Sequence, residues 1–95
     1  MRKLLWILIF VLVAPAFADA VSSMRVAVNE ARLHMSASSW TAAERVLKSL
    51  RQQMSLEPAL DKYRTKVEFV LWDLRMGNHD AARKDLDALA ALIAP

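Results

Sequence analysis

The segment Trp40-Thr41-Ala42-Ala43 recurs 39 residues later as His79-Asp80-Ala81-Ala82, and the leucines after it, Leu47 and Leu50, recur as Leu86 and Leu89. Steps of three or four residues between apolar positions place them on one face of a helix. A repeat period between about 20 and 50 residues is typical of stacked helix pairs, in which neither pair can bury its apolar face alone. The repeat therefore predicts an all-α fold of two stacked antiparallel helix hairpins.

Apolar spacing predicts four helices, at about residues 21–35, 40–54, 58–76 and 79–93. Pro58 suits the first turn of a helix, where its missing N–H would have no partner. Gly77, the one glycine of the chain, suits the left-handed position that ends a helix. No segment alternates between apolar and polar residues as a strand would.

The third predicted helix carries apolar residues on two faces. Its main stripe includes Leu71 and Leu74, and a second stripe of Phe69, Trp72 and Met76 runs beside it. A helix that is apolar over most of its circumference needs cover on two sides. We therefore expect Leu71 and Trp72 both to be buried between the second and fourth helices.

The N-terminus has the pattern of a secretory signal: two basic residues, an apolar run, a proline and a small-x-small ending, supplied by Arg2 and Lys3, Leu4 to Ala14, Pro15, and Ala16-Phe17-Ala18. The apolar run is shorter than the roughly 20 residues that a membrane-spanning helix needs. Residues 1–18 are thus predicted to be a signal peptide, and an uncleaved signal would be the sole membrane attachment. The domain then covers residues 19–95, with helix pairs at 19–56 and 57–95, and we expect export to a bacterial periplasm.

The charge and cysteine content narrow the classes of partner. The net charge is +3, but removal of Arg2 and Lys3 lowers the thirteen basic residues to eleven, against ten acidic ones. A nearly neutral exported domain is a poor candidate for binding nucleic acid. Because the chain has no cysteine, it forms neither a disulfide nor a thiolate metal site.

The start of the second helix in each pair resembles the tetratricopeptide-repeat family. Gly77-Asn78-His79, followed by Ala82 and Leu86, matches the turn, aromatic, small and large apolar positions of that family, and Ser38-Ser39-Trp40 with Ala43 and Leu47 matches apart from the glycine. The first helices depart from the family pattern, as at Lys66, Val70 and Asp73. The resemblance implies stacked helix pairs whose first helices line a concave groove for an extended peptide.

Two arginine-bearing faces are the candidate binding residues. Arg25, Asn29 and Arg32 share one face of the first helix, and Arg64, Glu68 and Arg75 share a similar face of the third. The resemblance would place both faces in the concave groove. Guanidinium groups favour carboxylates, so the expected partner is a protein or peptide with an acidic segment or a C-terminal carboxylate. An ordinary solvated face is the alternative interpretation.

Catalytic signatures are missing from the sequence: there is no cysteine nucleophile, glycine-bracketed serine or glycine-rich phosphate loop, and His34 and His79 have no partner at a diagnostic spacing. We therefore expect a non-catalytic protein without a cofactor. The methionines and Trp40 are predicted to fill the core rather than to bind a metal or ligand.

Two alternatives to a peptide-binding module stay open. One is a closed four-helix bundle that binds a metal or small ligand, resembling periplasmic b-type cytochromes in outline. The other is a homodimer joined through the third helix, with an assembly role.

Overall fold

A computed structural model describes residues 20–95, in which four α-helices follow one another. The first, α1, covers residues 20–36. The others are α2 (Trp40–Met54), α3 (Asp61–Arg75) and α4 (His79–Leu92), and a short 3-10 helix, Pro58–Leu60, leads into α3. The predicted signal peptide and the cleavage site before Asp19 lie outside the described residues.

The all-α prediction is confirmed, since residues 20–95 contain helices and turns and no strand. The predicted starts of α2 at Trp40 and of α4 at His79 are correct. Pro58 begins a helical segment as expected, although its first turn is 3-10 and the α-helix begins at Asp61. No helix within this part of the chain is long and apolar enough to cross a membrane.

The two hairpin turns have the same backbone conformation. Ser38 between α1 and α2 has φ +58°, and Gly77 between α3 and α4 has φ +77°. The N–H of Ser39 donates to the carbonyl of His34 at 2.8 Å, and the N–H of Asn78 donates to that of Asp73 at 2.8 Å. The two donors are 39 residues apart, and so are the two acceptors. The turn geometry therefore repeats with the same period as the sequence.

One apolar core joins all four helices, and no polar or charged residue of the described part is buried. The buried positions also follow the repeat. Seven pairs of buried residues lie 39 positions apart: Val28 and Val67, Ala31 and Val70, Met35 and Leu74, Ala43 and Ala82, Leu47 and Leu86, Leu50 and Leu89, and Met54 and Ile93. Each hairpin therefore contributes an equivalent half of the core.

The helices form a ring in which each has two neighbours. Helix α3 packs against α2 and α4, α1 and α2 line a shared groove, and an ion pair between Arg32 of α1 and Asp87 of α4 joins the first helix to the last. In an open array of stacked hairpins the first helix does not contact the last one. The contact between α1 and α4 therefore lends no support to a tetratricopeptide-like stack.

Trp40 and His79, the repeat-related residues that open α2 and α4, stack on each other. Their ring centroids are 4.0 Å apart and their planes differ by 13°. Trp40 is half-buried against the core, as predicted for a residue that packs between the helix pairs. The stack joins the two hairpins at the end of the bundle where both turns lie.

The prediction that Trp72 is buried is wrong. Leu71 is 3% exposed, whereas Trp72 is 55% exposed, and Phe69 and Met76 face solvent with it. In a ring of four helices each helix covers its neighbours on its inner side, so the outer side of α3 has no helix against it. The second apolar stripe of α3 is therefore a surface stripe.

Candidate functional site

The first candidate group lies where α1 meets α4. The Nε of Arg32 donates to Oδ1 of Asp87 at 2.9 Å, and its Nη1 donates to Oδ1 of Asn29 at 3.5 Å. The Nε of Arg25 donates to the backbone carbonyl of Ile93. Both guanidinium groups of this face thus bind groups of the protein itself and hold α1 against α4.

The second candidate group lies on α3, on the side that faces α2. Arg64 forms long ion pairs within its own helix, 3.7 Å to Asp61 and 3.6 Å to Glu68. Arg75 and Glu68 line a groove between α2 and α3 together with Arg51, Leu71 and Trp72. This group therefore faces a surface groove that contains an exposed aromatic ring.

The two groups occupy opposite sides of the bundle, because α1 and α3 are diagonal in the ring. We call the α1–α4 seam the surface lined by Asn29, Arg32, Leu33, Met35, Ser36, Arg83 and Asp87. We call the α2–α3 seam the surface lined by Lys48, Arg51, Arg64, Glu68, Leu71, Trp72 and Arg75. The structure does not bring Arg32 and Arg75 into one groove, so the expected convergence of the two arginine faces is not found.

The 39-residue repeat makes these seams equivalent in backbone but not in charge. Asp87 of the α1–α4 seam corresponds to Lys48 of the α2–α3 seam, which reverses the charge at that position. Ser36 corresponds to Arg75, and Ala90 of α4 corresponds to Arg51. At these three positions the α2–α3 seam carries cations where the equivalent surface carries an anion or neutral residues. The reverse holds at Glu44 and Leu71, which correspond to the cations Arg83 and Arg32.

Sequence reasoning missed the two cations that α2 contributes, Lys48 and Arg51. A position-by-position comparison of the two repeats would identify Lys48 and Arg51, but only once the two seams are known to be equivalent. Lys48 is paired with Glu44, one turn earlier in α2, at 3.1 Å. Arg51 and Arg75 have no carboxylate oxygen within 4 Å among residues 20–95.

Exposed apolar side chains continue from the α2–α3 seam across the outer face of α3. Phe69 is 59% exposed and Met76 is 54% exposed. Their spacing from Trp72 is one helical turn on each side, so the three side chains form one stripe. An apolar stripe rimmed by charged residues is typical of a surface that contacts another molecule.

A pair of carboxyl groups lies at the contact between α3 and α4. A hydrogen bond with the carboxyl of Asp85 raises the pKa of Asp73 above its ordinary value, with further contributions from desolvation and from the charge of Asp85. The raised pKa of Asp73 therefore reflects the close approach of two carboxyl groups at this helix contact.

The candidate metal-binding side chains lie apart from one another. His34 is 3.9 Å from Glu30 on the same helix, and His79 is in the stack with Trp40. Within residues 20–95 no three His, Cys, Asp or Glu side chains lie close enough together to hold a metal ion. Met24, Met35 and Met54 are buried in the core as predicted, whereas Met76 is exposed.

Comparison of the chain with protein-family models, with curated proteins and with solved structures finds no match. The residues of the two seams are therefore the features that bear on function. Of these, the α2–α3 seam combines an exposed aromatic ring with two guanidinium groups that have no carboxylate partner in the described part of the chain.

Proposed function

We propose that the protein is an exported, non-catalytic module that binds another protein or a peptide through the α2–α3 seam. The observation that carries the proposal is Trp72, which is 55% exposed in a groove that Arg51 and Arg75 also line. Tryptophan and arginine are the residue types most enriched among the energetically dominant residues of protein interfaces. The export part of the proposal depends on the N-terminal sequence pattern alone.

The apolar stripe on α3 supports a macromolecular partner over a small ligand. Phe69 and Met76 extend the exposed surface beyond the groove along two turns of the helix. A small ligand binds best in a concave pocket that surrounds most of its surface, whereas a stripe on the outer side of a helix suits the broader face of a protein. The binding proposal does not depend on a tetratricopeptide-like stack, which stays a prediction.

A photo-crosslinking experiment tests the proposal in cells that produce the full chain. A photoreactive phenylalanine analogue replaces Phe69, so that Trp72 is left in place. The control carries the same analogue at Leu33, an apolar residue that is 71% exposed. Leu33 is the repeat equivalent of Trp72, which lies three residues from the probe position. We expect the probe at position 69 to form an adduct with another protein and the probe at position 33 to form none.

Trp72→Ala in the position 69 probe strain is then expected to remove the adduct. Equal adducts from both probe positions, or none at position 69, would contradict the proposed binding surface. An adduct with a second copy of the chain would contradict a heterologous partner and would support the homodimer alternative.

A further inference from the structure

We infer that the partner of the α2–α3 seam is an acidic protein segment whose side-chain carboxylates flank an apolar residue, rather than a free C-terminal carboxylate. The inference rests on the proposed function, because it names the chemistry of the ligand at the same surface. Its support comes from the charge, the length and the unpaired groups of the seam.

The two equivalent surfaces of the bundle differ in how their cations are paired. On the α1–α4 seam the cation Arg32 is neutralised by Asp87 across the helix contact at 2.9 Å. At the position equivalent to Asp87 the α2–α3 seam has Lys48, and the one acidic residue of α2, Glu44, is paired with Lys48 within that helix at 3.1 Å, so no carboxylate of α2 pairs with a cation of α3. The α2–α3 seam therefore has a cationic excess that a ligand with negative charge would complement.

The cations of α3 are spread along the length of the helix. Arg64 and Arg75 are eleven residues apart in the sequence, which corresponds to about 16 Å along a helix at 1.5 Å per residue. A single terminal carboxylate can contact only one of these two cations. An extended segment of about five residues spans the whole distance, which favours several carboxylates in succession.

The cations differ in how fully the protein itself neutralises them. Arg51 and Arg75 have no carboxylate oxygen within 4 Å among residues 20–95, and the ion pairs of Arg64 are long and exposed to solvent. Exposed ion pairs contribute little to stability, so Arg64 can exchange its partners for those of a ligand at low cost. Leu71 and Trp72 lie in the same groove as Arg51 and Arg75, so an apolar ligand residue has a place between the carboxylates.

Defined peptides test the inference with purified full-length protein. The first probe is a peptide of about eight residues in which glutamates flank two leucines, acetylated and amidated so that it has no terminal charge. The second has glutamine in place of every glutamate, and the third is the glutamine peptide with a free C-terminal carboxylate. The indole N–H signal of Trp72 in NMR titrations reports binding, and the signal of Trp40, in its stack with His79, is the internal reference.

We expect the glutamate peptide to shift the Trp72 signal and to bind about tenfold more tightly than either glutamine peptide, because several exposed charge pairs are lost together. Arg51→Gln and Arg75→Gln should each weaken binding up to about fivefold. Arg83→Gln removes a cation of the α1–α4 seam and should leave affinity unchanged. Higher salt should weaken binding because these pairs face solvent.

Three results would overturn the inference. One is preference for the peptide with a free carboxylate, and another is equal binding of all three peptides or binding of none. The third is sedimentation of the protein with phosphatidylglycerol vesicles that depends on Trp72, because the seam would then recognise a membrane surface. Failure of the peptides together with a protein adduct at position 69 would refute the acidic class and leave the proposed function standing, whereas absence of both would refute the two together.

Discussion

Truncation of two adjacent residues of α3 is expected to have very different effects on stability. Leu71 is 3% exposed and Trp72 is 55% exposed. Leu71→Ala removes buried carbon atoms that each contribute about 0.8 kcal/mol on burial, and the cavity left behind adds to the loss, so we expect a cost of about 2–5 kcal/mol. Trp72→Ala shortens a side chain that is mainly in solvent, and we expect a cost below about 1 kcal/mol.

Thermal unfolding measured by far-ultraviolet circular dichroism separates these two outcomes. In a domain of this size each kcal/mol lowers Tm by about 4–8 °C, so Leu71→Ala should lower Tm by roughly 10–20 °C or more, provided that the variant folds. Trp72→Ala should lower Tm by less than about 8 °C. Urea unfolding at 25 °C gives the same order independently, with an unchanged slope indicating that the unfolded state is unaffected.

A larger loss from Trp72→Ala than from Leu71→Ala would refute this description of α3, because it would mean that the outer stripe is covered in solution. If Leu71→Ala does not fold, Leu71→Val is the milder variant, and its expected cost is about 0.5–1.5 kcal/mol, by analogy with other single-methyl deletions in a core. The comparison also separates stability from binding. Trp72→Ala is expected to lose the partner while the protein stays folded.

Four further predictions concern the side-chain pairs and the turns of the two hairpins. A double-mutant cycle on Arg32 and Asp87, measured by urea unfolding, should give a coupling of about 0.2–1 kcal/mol that falls as salt is added, and no coupling at low salt would contradict the ion pair. Because the folded-state pKa of Asp73 is raised, its unfavourable contribution should appear as pH rises through that pKa. Asp73→Asn should therefore raise the urea midpoint at pH 7 and have little effect below the ordinary pKa of an aspartate, and an equal effect at both pH values would argue against the carboxyl pair. A Cβ at Gly77 meets no atom within 4 Å, so Gly77→Ala should cost about 1 kcal/mol through its positive φ alone. Ser38→Gly should stabilise by a few tenths of a kcal/mol in the same assay, and a loss of stability there would show that Ser38 contributes more than its backbone conformation.

The helices and the buried positions of the core follow from local pattern. The apolar spacing of Leu47, Leu50, Leu86 and Leu89 identifies buried positions because a helix repeats every 3.6 residues whatever it packs against. The left-handed residue in the first turn was not predicted, because serine occupies the place of the glycine. The backbone of Ser38 nevertheless adopts φ +58°, since the turn between two close antiparallel helices requires it.

The solvent exposure of Trp72 could not be predicted from the sequence, because it depends on how many helices pack against α3. Periodicity identifies two apolar stripes but does not say which of them meets another helix. That is decided by closure of the ring, which in turn involves contacts such as Arg32 with Asp87, 55 residues apart. The same closure places the two arginine faces on opposite seams. An expectation based on an open array pairs the first helices with each other, so it does not identify Lys48 and Arg51 of α2 as neighbours of the α3 face.

The repeat explains why the α2–α3 seam can bind a ligand while the α1–α4 seam closes the ring of helices. Both seams are built on equivalent backbones, as the matching turns and the seven pairs of buried residues show. Between α1 and α4, which no chain segment connects directly, the ion pair of Arg32 with Asp87 adds a polar contact to the shared apolar core. The α2–α3 seam is joined by the chain itself through residues 55–60. Arg51 and Arg75, which have no carboxylate partner among residues 20–95, are therefore not required to hold α2 and α3 together, and their charges are available to a ligand.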